Sequence, residues 1–168
     1  MMAVAHPKLG LRPYLPADAP LLREIFLDAI AELTADEYTV AQQEAWASVA
    51  DDVADFGKKL SGQLTLVATL EGSPVGFAAL EGKDKIGMLY VHPAAAGQGV
   101  GAMLIDALEK LAGSRGAPKL TVDASDSARG FFEKRGYIAQ QRNTVSVGDE
   151  WLANTTLHKQ LAAKREAS

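Results

Sequence analysis

The apolar residues of the first part of the chain fall on a helical period. Leu21, Leu22, Ile25, Phe26, Ala29, Ile30 and Leu33 recur three or four positions apart, and Asp18 stands where an N-cap is expected. Before them, Leu9 to Tyr14 predicts a strand. Thr39 predicts the cap of a second, short helix over Val40 to Ser48, and Asp51 to Leu60 predicts a third, with Gly62 ending the helical region. The period then changes to two. Leu64, Leu66, Ala68 and Leu70 alternate with other residues, and Glu71-Gly72-Ser73-Pro74 supplies turn chemistry. Val75 to Leu80 predicts the returning strand of a hairpin, Gly82-Lys83-Asp84-Lys85 the next turn, and Ile86 to Val91 a further strand ended by His92-Pro93.

Beyond a glycine-rich stretch, Val100, Met103, Leu104, Ala107, Leu108 and Leu111 share one face of a helix from about Val100 to Ala112, the stripe of a helix packed on a sheet. Leu120 to Val122 predicts a short strand. A helix with Ser125 or Asp126 near its cap runs to Arg135, where Gly136 ends it. Tyr137 to Val147 and Trp151 to His158 close the pattern as two strands around a turn at Gly148-Asp149. There is no repeat, and no linker divides the chain. The expected fold is α+β, on a largely antiparallel sheet with one parallel step across the glycine-rich helix.

Composition narrows the chemistry. At 168 residues, with 48% hydrophobic and 23% charged residues, the chain can bury a core without disulfides. It has no cysteine, which removes thiolate nucleophiles and zinc-thiolate sites and fits a reducing compartment. His6, His92 and His158 show no metal-ligand spacing, so no metal is expected. Net charge is −4 with scattered Lys and Arg, which argues against a nucleic-acid partner. Met1 to Pro7 lacks the features of a signal peptide, and no stretch approaches the roughly 18 apolar residues of a membrane helix. The expectation is a cytoplasmic protein that does not engage a membrane.

The glycine-rich stretch Ala96-Gly97-Gln98-Gly99-Val100-Gly101 lies between a strand and a helix. Glycines at a helix start leave backbone N–H groups free to converge, and the helix dipole adds about half a positive charge there. Such a turn suits phosphate or pyrophosphate. A tight connection that binds nothing has the same residues. Gly97-Gln98-Gly99-Val100-Gly101-Ala102 also matches the G-x-G-x-x-A dinucleotide fingerprint, with Asp123 at the distance of a ribose contact. That third reading fails on two counts. Five residues separate the strand end from the first glycine, and the elements after Asp123 cannot continue a doubly wound sheet.

Met88-Leu89-Tyr90-Val91-His92-Pro93, with the glycine run and the amphipathic helix after it, resembles the cofactor-binding motif of the GNAT superfamily of acetyltransferases. The superfamily's Arg or Gln, Gly, and Gly or Ala fall on Ala96, Gly99 and Gly101. Ala128-Arg129-Gly130-Phe131-Phe132-Glu133-Lys134-Arg135-Gly136-Tyr137 resembles its A-x-x-F-Y-x-K-x-G-F helix end. The resemblance spans Leu9 to Lys159. It implies a GNAT-like mixed, mostly antiparallel central sheet of about seven strands flanked by helices. Length and the lack of a linker make this a single domain over 1–168, with a core of about 9–159 and frayed termini expected at 1–8 and 160–168.

The same resemblance implies acetyl-coenzyme A as co-substrate. The backbone of Gly97, Gln98, Gly99, Val100 and Gly101 would hold the pyrophosphate, with Ala96 before them. Leu89, Tyr90 and Val91 would splay from their neighbour strand and pair with the pantetheine arm, and Phe131 and Phe132 would pack near the acetyl end. Two departures stand out. Ala96 removes one phosphate contact, and Phe132 stands where many members carry the tyrosine proposed to protonate the leaving thiolate. Tyr90 or Ser125 could replace that hydroxyl, or the thiolate, with a pKa near 8.5, leaves unaided.

An amine acceptor with pKa near 10.4 is only ~0.04% neutral at pH 7, so a carboxylate or a water chain near it is needed to take the proton. The acceptor side should come from the helices after the first strand. There Glu32, Asp36, Glu37, Tyr38 and Trp46 cluster, and the run Asp36 to Trp46 resembles a segment of one uncharacterised bacterial GNAT subgroup. Glu32, Tyr38 and Tyr90 are the candidate catalytic residues, and Asp36 and Trp46 the candidate substrate contacts. The competing reading of each carboxylate is a solvated helix end or cap, and that of Trp46 a place in the core. The expected partner is a small-molecule or protein amine, and a homodimer through the final strands is common in the superfamily. The alternative is a non-catalytic coenzyme A-binding or regulatory module.

Overall fold

The computed structural model describes residues 8–161. Seven strands form one sheet in the order β1-β2-β3-β4-β5-β7-β6. They are β1 (Leu9–Pro13), β2 (Leu64–Leu70), β3 (Ser73–Glu81), β4 (Lys85–Val91), β5 (Lys119–Ser125), β6 (Ile138–Val147) and β7 (Glu150–Gln160). Every neighbouring pair is antiparallel except β4 with β5. That parallel step is connected by α4 (Val100–Ser114), as a crossover helix requires. The α+β expectation and its single parallel step are both present.

The sheet divides two cores. On one face lie α4 and α5 (Arg129–Lys134), where Leu104, Ile105 and Leu108 pack on Ala78, Leu80, Leu120, Val122 and Phe132. On the other lie α1 (Ala19–Leu33), α2 (Val40–Ala47) and α3 (Val53–Ser61), whose Leu22, Ile25, Phe26, Phe56 and Leu60 pack on Val67, Phe77 and Ala79. Strand β3 therefore alternates Ala78 and Leu80 toward α4 with Phe77 and Ala79 toward α1, the period-two pattern of a strand covered on both sides. Gly76 lets α4 come close: a Cβ there would lie 3.0 Å from Val100 Cγ1 and from the Tyr90 carbonyl oxygen.

One cap and three boundaries differ from the sequence expectation for local reasons. Asp18 precedes α1, but its carboxylate accepts from the Leu15 N–H at 2.8 Å and pairs with Arg12. The Arg12 hydrogen bond holds that carboxyl below the usual carboxylate range. A single 3₁₀ turn over Ser48–Ala50 delays α3, which Asp52 caps through bonds to Ala54 and Asp55 N–H. Strand β5 runs to Ser125 rather than Val122, because β7 pairs with all seven of its residues. Ser125 then ends that strand and its hydroxyl accepts from Ala128 N–H at 3.1 Å, so α5 starts only at Arg129. Thr39 caps α2 as its spacing predicts, in a reciprocal pair with Gln42.

Candidate active site between β4 and β5

A bulge at Gly87 sets the geometry of β4. Ala79 faces Met88 and Leu80 faces Ile86, so Gly87 is the extra residue. Strict alternation would put Met88 on the same side as Ile86. The bulge resets the phase instead: Ile86, Leu89 and Val91 belong to the α4 side, Met88 and Tyr90 to the α1 side. Beyond the bulge β4 also leaves its other neighbour. Its parallel pairing with β5 consists of Lys85 with Thr121 and Ile86 with Val122, and stops there. Among the described residues, the edge of Gly87 to Val91 that faces β5 has no strand partner, so its polar backbone groups are available to a ligand.

The divergence opens a cavity of about 270 Å³. Its walls are β4 from Ile86 to Val91, β5 from Val122 to Ser125, the α1 end at Ala29, Ile30, Leu33 and Thr34, Trp46 of α2, Gly101 of α4, and Ser127, Ala128, Phe131 and Phe132 around α5. The wall is mostly apolar. Among the described residues, Asp123 is its only carboxylate and Tyr90 its only phenol, and none of them brings a cationic side chain to it.

Next to the cavity lies the glycine turn. Gly97 and Gly99 have φ of 78° and 83°, the left-handed region that favours glycine, and α4 begins at the following Val100. Space is not the constraint, since a Cβ at either position would meet nothing within 4 Å. Among the described residues, the N–H groups of Gly97, Gln98 and Gly99 have no acceptor. Gly101 is confined for a different reason: its Cβ would lie 3.3 Å from the Phe131 ring. His92 opens the loop as a local strut. Its Nδ1 accepts from Ala94 N–H at 3.1 Å, which leaves Nε2 to donate to Asp28 at 3.0 Å.

The aromatic side chains divide by role. Phe132 is 2% exposed and stacks edge-on with Phe131 and Tyr137, without a hydroxyl to offer. Tyr90 packs against Phe26 and Phe77, and its hydroxyl accepts from Trp46 Nε1 at 3.2 Å. Burial pushes that phenol up to about 12, more than the Trp46 hydrogen bond lowers it. Tyr38, 6% exposed, donates to the Ala153 carbonyl at 2.6 Å and accepts from Asp126 N–H at 2.9 Å. It ties the loop after α1 to β7 and to the turn after β5. Gln42 repeats the tie on the Trp151 carbonyl. These two side chains satisfy β7 where β5 has ended.

The structure therefore brings together Leu89, Tyr90, Val91, Trp46, Gly101, Phe131 and Phe132 around one cavity, with Ala96 to Val100 on the adjoining turn. It does not bring Glu32, Asp36 or Tyr38 to the wall. Glu32 and Asp36 are exposed, Glu32 because helical phase carries it away from Ala29, Ile30 and Leu33. Tyr38 commits its hydroxyl hydrogen to the Ala153 carbonyl and accepts from Asp126 N–H, away from the wall. Thr34, Ser127 and Asp123 were not singled out for this wall by sequence; Asp123 drew notice only as a ribose contact in the dinucleotide reading. The alternation of β5 was the one signal that could have placed Asp123 and Ser125 on a common face.

The Acetyltransferase (GNAT) domain family matches residues 34–153. The chain belongs to the GNAT acetyltransferases. An uncharacterised N-acetyltransferase of Escherichia coli, YafP, is 32% identical over 146 residues, covering 87% of this chain and 92% of the relative. A solved structure from Rhodopseudomonas palustris, described as a GCN5-Related N-acetyltransferase: Aminotransferase, Class-II, is 63% identical with a TM-score of 0.90, over 96% of this chain and 99% of the other. The PaiA N-acetyltransferase of Thermoplasma acidophilum, solved with coenzyme A, shares the fold at 16% identity and a TM-score of 0.76, over 91% and 99% of the two chains. This GNAT chain is an acetyl-coenzyme A-dependent N-acetyltransferase that transfers acetyl to an amine. Among the described residues no helix is long and apolar enough to cross a membrane, and no group of three or more His, Cys, Asp or Glu could hold a metal ion.

Proposed function

We propose that acetyl-coenzyme A lies along the splayed edge of β4, and that a primary amine reaches it from the α1–α2 side. The observation that carries this reading is the early end of the β4–β5 ladder beside a glycine turn whose Gly97, Gln98 and Gly99 amides have no acceptor among the described residues. When bound, the coenzyme supplies an acetyl thioester. The amides of Gly97 to Gly101 and the start of α4 bind its pyrophosphate, so affinity rests on backbone rather than on the side chain missing at Ala96. Leu89 to Val91 offer backbone hydrogen bonds to the pantetheine arm, and Phe131 and Phe132 keep water from the acetyl end.

Tyr90 takes the polar role on the acceptor side. A phenol near 12 holds its proton against a thiolate near 8.5, and full transfer would cost about 5 kcal/mol. Tyr90 therefore acts as a fixed hydrogen-bond donor toward the reacting thioester, and the thiolate departs without a proton from the protein. Trp46 holds the Tyr90 oxygen in place. Thr34, Ile30 and Leu33 form the opposite lip.

The absence of cysteine fits a cytoplasmic setting. The exposed outer edge of β6 supports a homodimer, which light scattering would read directly. The test of the reading is release of coenzyme A thiol from acetyl-coenzyme A in the presence of a panel of primary amines. Amine-dependent release is expected; release that no amine accelerates would leave only the coenzyme-binding module.

A further inference from the structure

Among the described residues, Asp123 is the one carboxylate on the cavity wall, and it is held from two sides. Val122 and Ala124 point into the α4 core, so Asp123 faces the other way, onto the face from which the amine is proposed to arrive. Register places Thr156 opposite Asp123 and Asn143 opposite Asn154. Asn143 Nδ2 donates to Asn154 Oδ1 at 2.9 Å and to Thr156 Oγ1 at 2.8 Å. With its oxygen taken, Thr156 directs its single proton to Asp123 Oδ1 at 2.6 Å. Oδ2 meets Lys85 Nζ at 3.3 Å, from the residue just before the wall stretch that begins at Ile86.

This pair is informative because of what it is made of. A primary ammonium on a flexible alkyl chain already sits on the carboxylate, and both side chains are about 40% exposed. Exposed pairs of this kind are weak, so another ammonium can take Lys85's place. A carboxylate has acceptor capacity beyond the two bonds it makes here.

Resting on the acetyl-transfer reading of this cavity, we infer that Asp123 is the specificity-determining residue for the acceptor. It selects a primary alkylammonium of the lysine side-chain kind, bound where Lys85 Nζ now stands, and Lys85 is an internal competitor for that position. Asp123 is not the base: holding the charged form favours binding and does nothing to remove the proton, which leaves to water through the open side of the site. Its signature is consequently in affinity.

The experiment titrates the protein, saturated with coenzyme A, with Nα-acetyl-lysine methylamide and with the same compound acetylated at Nε, which carries no charge. The wild-type chain is expected to bind the ammonium form at least about tenfold tighter, and Asp123→Asn, isosteric and able to keep the Thr156 contact, to abolish that preference without weakening the neutral form. Lys85→Met should tighten the ammonium form alone, by about twofold to fivefold. A preference that survives Asp123→Asn, or equal weakening of both compounds, overturns the assignment while amine-dependent thiol release continues. Absence of thiol release with every amine would overturn the acetyl-transfer reading and this inference with it.

Discussion

Replacing Gly99 by alanine separates backbone conformation from space. The residue sits at φ 83°, immediately before α4, and a Cβ there would meet nothing within 4 Å. The cost is therefore conformational: holding an L-residue in the left-handed region costs about 1–2 kcal/mol. In a chain of this size, that corresponds to a fall in Tm of roughly 2–8 °C. If the turn instead relaxes to negative φ, the amides of Gly97 to Gly101 no longer converge, and acetyl-coenzyme A affinity drops by at least about tenfold. Gly113 supplies the opposite control. It lies near the end of the same helix, its φ is not positive, and a Cβ there would also meet nothing within 4 Å. Gly113→Ala should raise stability by about 0.5–1 kcal/mol and leave the coenzyme untouched. Scanning calorimetry and a coenzyme titration on both variants read the two effects. A Gly99→Ala protein with unchanged coenzyme affinity would refute the role given to the turn, and one with a raised Tm would refute the strain.

Tyr90→Phe should lower kcat by about tenfold to a hundredfold in steady-state assays while acetyl-coenzyme A affinity in calorimetry stays within about twofold, because only the proposed donor to the thioester is removed. Tyr38→Phe leaves the Ala153 carbonyl and the Asp126 N–H without their partner and should cost about 1–3 kcal/mol in denaturant unfolding, with coenzyme affinity nearly unchanged. The rate with an alkylamine should rise about tenfold per pH unit up to the acceptor's own pKa, with no decline from Tyr90 below about 12, as a pH–rate profile would show. The raised Tyr90 pKa has a stability counterpart: its contribution is complete below the ordinary phenol pKa of about 10 and is lost as pH rises toward about 12, measurable as a falling unfolding free energy over that window.

Local signals carried most of the fold. The spacing of Leu22, Ile25, Phe26, Ala29 and Ile30 found α1, Thr39 found the start of α2, and the glycines found the turn before α4, because each is decided by neighbours in the chain. The parts of the site that were not legible depend on distant partners. Gly87 looks like any strand residue until β3 is laid beside it and one position proves to be extra. The splay is a property of a ladder that stops, which no residue of β4 announces. Tyr38 looked reactive beside acidic neighbours, yet its hydroxyl is bound to a carbonyl 115 positions away. Glu32 and Asp36 drew attention by charge, whereas the wall carboxylate came from β5 as that strand ran past the length its apolar residues suggested.

The most direct test of the central claim is a calorimetric titration of the full chain with acetyl-coenzyme A, with NAD as control, followed by hydrogen exchange at Leu89 to Val91 and Gly97 to Gly101. Binding of acetyl-coenzyme A alone, with slowed exchange in both segments, is the predicted result. Binding of neither compound, or binding that leaves both segments exchanging as before, would contradict the placement of the coenzyme in the β4–β5 splay.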